Sequence, residues 1–447
     1  MRHAPVLKIC TLWPLLVMIV SVSAGVQADE SPVLTEIPAD AIASKSQLPD
    51  PATQADALTA SATDTEALQR AVEQYKNSIN DMQKTHGVYA ERLDEELTGL
   101  GMVYKNLGQF PEALAAFNRA LHINRVNHGL HSLDQLAILE QIIATNTALS
   151  DWTALDQNYQ YLYWINRRSN GATDPHLLAV IDRLARWHLN AYTLATDPQP
   201  FNHLMSANAL FLDAAAIIET NYGPYDQRLI NPLYGITIAN YQMAFHAYNS
   251  SGFEGFYSSF RNFDDTNSML EEEMAIQDLI SDAYRTGKQA MLRVIDIQTH
   301  NPDAQAIDHG IAMIQLGDWY LLFNQSNSAR QSYAMAYTRL NESGMQKDEI
   351  NKLFEQPRSL PSFQMPVASQ QVKTKEGSAD NYVLVKFDVS KNGKTSNIEI
   401  VEAQPADDES IQRRAKETIR DTRFRPRLED GQPVATTDIN IRYVLQE

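Results

Sequence analysis

Two distant stretches of this chain carry the same residue types at the same offsets. In the first, Leu100-Gly101 is followed by Tyr104, Leu107-Gly108, Phe110, Ala113, Phe117 and Ala120-Leu121. In the second, Leu316-Gly317 is followed by Tyr320, Ala329, Tyr333 and Ala336. From the glycine to the first alanine is 12 residues in both, and from that alanine to the next is seven. Steps of three, four and seven keep residues on one face of a helix. Glycine and alanine on such a face let two helices approach closely, and the aromatic rings fill the gaps beside the contact. A helix pair cannot bury its apolar face alone, so a chain built of such pairs must stack them.

These positions resemble the tetratricopeptide repeat, and the resemblance implies a helical solenoid. A second period supports it. His86-Gly87 is followed 42 residues later by His128-Gly129, and after another 42 by Asn170-Gly171. That period is longer than the usual repeat of about 34 residues and resembles the elongated form with longer inter-repeat loops. Leu133 to Leu149 with Thr153 to Arg167, and Leu177 to Leu194 with Ser206 to Tyr222, read as further pairs. Five or six pairs are expected between residues 65 and 355, with Asn249 to Asn267, which holds Gly252 and Gly255, as a loop insertion or broken helix.

The N-terminus reads as an export signal, residues 1–28. Arg2, His3 and Lys8 precede an apolar run from Ile9 to Val22, and Val26-Gln27-Ala28 offers a small-x-small cleavage site. The run is shorter than the roughly 20 residues that span a bilayer. The alternative is an uncleaved inner-membrane anchor. Cys10, the only cysteine, lies inside that run, so a chain cleaved after Ala28 has no thiol for disulfides, catalysis or metal. No other stretch reads as a membrane span, and the cleaved chain is expected not to span a membrane. The formal net charge is −18, and Gln371 to Glu447 holds 13 Lys and Arg against 14 Asp and Glu. The acidity therefore lies in the repeat region, which argues against nucleic acid as a partner. Residues 29–64, rich in Ala, Pro, Ser, Thr and Asp, read as a flexible linker. Pro357, Pro361 and Pro366 mark residues 356–375 as a connector.

Residues 376–447 change character. Val383, Val385, Phe387 and Val389 alternate with Leu384, Lys386 and Asp388, the pattern of a half-buried strand. Lys391-Asn392-Gly393-Lys394 predicts a hairpin turn, and Thr395 to Glu402 the returning strand, with Ile398 and Ile400 inward. Asp407-Asp408-Glu409-Ser410 opens a helix whose buried stripe is Ile411, Ala415 and Ile419. Asp430-Gly431 makes a turn before a last strand from Val434 to Val444, with Ile439, Ile441 and Tyr443 on one face. This β-β-α-β order, with the segments VKFDVSKNGK and RFRPRLEDGQPV, resembles the C-terminal domain of the TonB family. The fold class expected is mainly α: a tetratricopeptide-like solenoid followed by a small α+β module.

In that family the domain reaches outer-membrane transporters, and a short segment of the partner adds beside its last strand. Carried over, the resemblance implies partner binding along Thr437, Asp438, Ile439, Asn440, Ile441, Arg442 and Tyr443. The family's energy transducers keep an anchor containing a histidine, and Ile9 to Val22 has none, so partner binding rather than energy coupling is the inheritance expected. Arg413, Arg414, Lys416, Arg420, Arg423, Arg425 and Arg427 concentrate positive charge, which reads either as a patch for an anionic partner or as a solvated helix face. His122, His128 and His131 read as loop and helix-end residues, since neither a cysteine nor a His pair four apart supports a metal. Trp152, Tyr159, Tyr161, Tyr163 and Trp164 read as packing between repeats, with a peptide-anchoring groove as the alternative. No nucleophile elbow, phosphate loop or zinc-protease motif occurs. The sequence thus predicts a non-catalytic periplasmic scaffold of a Gram-negative cell that needs no cofactor or metal and takes proteins or peptides as partners. The alternatives are an accessory to TonB-dependent transport and, more remotely, a cell-wall enzyme.

Overall fold

The computed structural model describes residues 51–194, 199–249, 268–302, 304–361 and 382–444. The signal segment and the 250–267 insertion lie outside them. The chain divides into two compact units between Val180 and Ile181, within a helix rather than at the proline connector.

The first unit holds α1 (Pro51–His86), α2 (Leu93–Asn106), α3 (Phe110–His128), α4 (Leu136–Leu149) and α5 (Trp152–Asn170). α1 opens at Pro51, inside the stretch expected to be linker. Ala52, Ala55, Ala57, Ala60 and Ala62 favour helix there, and low hydrophobicity does not forbid it. α2 packs on α3 and α4 on α5. The residues of the repeat signature do what their spacing predicts. Ala113, Phe117 and Ala120 are fully buried, and a Cβ placed on Gly101 would run into the Phe117 ring. The period of 42 marks helix ends. Gly87, Gly129 and Gly171 have φ of +91°, +91° and +100°, and each donates its N–H to the carbonyl four residues back. Gly223, φ +96°, closes a later helix in the same way.

The aromatic run on α5 packs less completely than its spacing suggests. Tyr161 Oη donates at 2.7 Å to Oε1 of Gln135, which ends the short 3-10 turn leading into α4, and the ring lies under the Arg125 guanidinium. Trp164 stacks on Tyr161 and touches His131, yet is 45% exposed. The buried residues of α5 are Leu155, Leu162, Ile165 and Asn166, because the aromatics flank the stripe instead of occupying it. His122 and His131 sit against different rings, Tyr89 and Trp164.

The second unit begins within α6 (Leu177–Leu194) and continues with α7 (Pro200–Tyr222), α8 (Ile230–Asn249), α9 (Ser268–His300), α10 (Ala306–Leu322), α11 (Ser326–Glu342) and α12 (Lys347–Phe354). Five helical pairs, α2–α3, α4–α5, α6–α7, α8–α9 and α10–α11, thus appear among the described residues. Contrary to the sequence reading, α7 is long and apolar enough to cross a membrane. Its apolar side chains have another use: Phe201, Leu204, Ala207, Leu210, Phe211, Ala214, Ile217 and Ile218 are buried, and α7 packs on α8.

Two histidines are expected to make the stability of this unit pH-dependent. His246 on α8 is held below the ordinary histidine range by burial, and His309 on α10 by burial and then by Arg339. The unfolded chain therefore takes their protons first. The stabilisation is complete above the unfolded value of about 6.5 and is lost as pH falls through the lower folded values. The thermal midpoint should therefore drop as pH falls below about 6.5, and His309→Gln should flatten that slope. An unchanged slope in the variant would refute the assignment.

Candidate functional site

The C-terminal module is a three-stranded antiparallel sheet with one helix across it. Its strands are β2 (Tyr382–Val389), β3 (Thr395–Gln404) and β7 (Thr436–Val444), in the order β3-β2-β7. The alternation read from the sequence holds: Val383, Val385, Phe387 and Val389 are buried, under Ile411, Ala415 and Ile419 of α13 (Glu409–Asp421). Asp408 caps that helix by accepting from Ile411 N at 3.0 Å. At the β2–β3 turn, Gly393 has φ +74°, and its carbonyl accepts from Phe424 N at 2.9 Å. A Cβ at Gly393 would collide with the Phe424 carbonyl, so only glycine fits.

β7 pairs with β2 along one edge, in a register that sets Val383 opposite Tyr443, Val385 opposite Ile441 and Phe387 opposite Ile439. Among the described residues its other edge has no strand partner. The edge is uneven. Asp438 takes φ +58°, its N–H donates to Asp388 Oδ1 at 3.0 Å, and its carboxylate pairs with Lys386 at 2.8 Å. The ladder shifts register there. A bulge with a charge at an edge strand discourages indiscriminate pairing. The regular part of the edge therefore runs from Ile439 onward. Asn440 and Arg442 are exposed, while Ile441 faces the module's core.

Between α13 and β7 the chain does more than the single turn read from the sequence. β4 (Phe424–Arg425) pairs antiparallel with β1 (Arg358–Ser359), which lies in the stretch expected to be a connector. β5 (Arg427–Glu429) and β6 (Gln432–Val434) form a hairpin. This part of the module lies on α10, α11 and α12. Leu360 and Leu428 are buried in one cluster with Tyr333, Ala336, Leu340, Ile350 and Phe354. Asp430 accepts from Tyr337 Oη at 3.0 Å and pairs with Lys347 at 3.1 Å.

At the centre is a buried ion pair. Arg425 Nε donates to Asp318 Oδ1 at 2.8 Å, and Arg425 Nη2 pairs with Asp318 Oδ2. Tyr333 Oη donates to Asp318 Oδ1 at 2.8 Å. The side chains of Arg425 and Asp318 are 6% and 0% exposed. Burial works against the Arg425 charge, but Asp318 outweighs it and holds the guanidinium above its ordinary value. Burial first, and Asp318 second, push the Tyr333 phenol well up.

The basic residues singled out in the sequence therefore do not form one surface. Arg413, Arg414 and Arg420 are exposed on α13. Arg423 is half-buried and donates to Asn324, Arg425 is locked on Asp318, and Arg427 pairs with Glu429 at 2.7 Å. The reason is local: after α13 the chain turns onto the helical pair, which takes Arg423 and Arg425 inward. Asp318 and Tyr333 were missed as partners of the module, since 107 residues separate Asp318 from Arg425.

Residues 375–445 match the family model described as Gram-negative bacterial TonB protein C-terminal. No curated protein matches the chain. Among solved structures, it is similar to BtubC (BKLC) from P. vanneervenii, with 12% identity over 62% of this chain and 92% of that one, at a TM-score of 0.31. A putative kinesin light chain from Podosopora anserina with nearly identical TPR-like repeats has 14% identity over 53% and 97%, at a TM-score of 0.31. A variant of that same kinesin light chain has 13% identity over 53% and 93%, at a TM-score of 0.30. Helical-repeat solenoids and modules of the TonB C-terminal type generally mediate protein–protein contacts.

Proposed function

We propose that this chain is a non-catalytic interaction protein of the Gram-negative periplasm, whose C-terminal module takes an extended segment of a partner protein along the outer edge of β7. The observation that carries the reading is a TonB C-terminal type of module in which, among the described residues, the outer edge of β7 beyond the Asp438 bulge has no strand partner. An added strand would gain main-chain hydrogen bonds along Ile439 to Tyr443, with its side chains alternating between the two faces of the sheet. Arg413, Arg414 and Arg420 on α13 offer a secondary contact for acidic groups of the same partner. Residues 1–28 direct the chain across the inner membrane, and cleavage after Ala28 releases it into the periplasm.

The test is photo-crosslinking in the envelope of the native host, with the reactive group at Asn440 or, as a control, at Val401 on the opposite edge strand, which is 55% exposed. Asn440 should give one discrete protein adduct and Val401 none. Adducts from Val401 alone, or none from Asn440, would sink the reading. The family match favours a second reading, an accessory role in TonB-dependent transport. In that case the Asn440 adduct is an outer-membrane transporter.

A further inference from the structure

A stacked helical array must end somewhere, and its last pair has an apolar face that no following repeat covers. Solenoids meet this need with a terminal cap. In this chain α11 is followed by α12, which has only 8 residues, too few for another repeat helix. We propose that the C-terminal module has a second role as the cap of the helical array, in which Phe424–Leu428 and the β5–β6 hairpin fill the place of the first helix of a following repeat.

Comparison of the two signature pairs supports this. Gly101, Met102 and Phe117 in the first pair correspond by offset to Gly317, Asp318 and Tyr333 in the last. Both glycines sit against the ring of the residue sixteen positions on. The differences are a carboxylate in place of Met102 and a hydroxyl on the ring. Met102 is 39% exposed, whereas Asp318 is wholly buried and takes the Tyr333 hydroxyl and the Arg425 guanidinium. The polar pair is present in the repeat that carries the module, and the module supplies its cation. The apolar contacts agree. The module has its own core around Phe387 and Ile419, but Leu428 belongs to the helical cluster of Leu340, Ile350 and Phe354. A tethered domain would keep its apolar residues for itself.

Amide exchange in the full chain separates a cap from a tethered domain. Ala415→Arg puts a charge in the module's own core, away from the helices, and loss of protection in β2 and β7 reports that the module has opened. Leu428→Ser removes the apolar contact with the helices while leaving the module's core intact. Both variants should raise exchange in α11 and α12 on the order of tenfold or more, with α2 and α3 unchanged. The proposal is overturned if α11 and α12 keep wild-type protection when β2 and β7 have opened. It is equally overturned if α2 and α3 lose protection to the same extent, which marks general unfolding. Where Ala415→Arg leaves the sheet protected, Leu428→Ser decides by the same readout.

Discussion

Replacing Asp318 by Leu should destabilise the second unit by about 3–5 kcal/mol, the range for removing one partner of a buried ion pair. The loss comes from what is left behind: a buried Arg425 guanidinium without its carboxylate and a buried Tyr333 hydroxyl without this acceptor. Arg425→Met should cost a similar amount, because it strands the Asp318 charge. The double variant should recover most of the loss, to within about 1–2 kcal/mol of wild type, since two apolar side chains of similar volume leave no uncompensated charge. Urea unfolding of the three variants measures the cycle. Single losses of about 1 kcal/mol or less, the figure for an exposed pair, would show that water reaches these groups and that the seat is open.

The second large effect concerns Gly317. A Cβ there meets the Tyr333 ring, as one at Gly101 meets Phe117. Alanine gains about 1 kcal/mol in helix propensity at either site, so the sign depends on whether the ring can yield. Phe117 is held by packing alone, whereas Tyr333 is also held through its hydroxyl on Asp318. Gly317→Val should therefore cost about 3 kcal/mol or more, the upper end for overpacking, and Gly317→Ala should cost more than Gly101→Ala. Thermal unfolding followed by helical circular dichroism compares them. Equal losses at the two glycines would mean that the Tyr333–Asp318 contact does not stiffen the last pair.

Much of the fold is legible in the sequence because it rests on local rules. The Gly-Ala offsets specify helix pairs, the glycines 42 residues apart specify helix ends through their positive φ, and Val383 to Val389 specify a half-buried strand. The linker reading of residues 51–64 departs from the helix because low hydrophobicity speaks to tertiary burial, while alanine content favours helix regardless. Of the α5 aromatics, Trp164 departs from the expected packing, because spacing places a residue on a face without saying what lies opposite.

The two halves of the site divide in the same way. β7 and its alternation were determined by the sequence, because strand pattern and turn chemistry are properties of a few neighbouring residues. The outer edge that no other described strand covers, the Asp438 bulge and the seating of Arg425 on Asp318 were decided only by the tertiary structure. Each depends on which groups distant parts of the chain bring within hydrogen-bond reach. An arginine among seven basic residues reads as surface charge until the fold places a buried carboxylate opposite it.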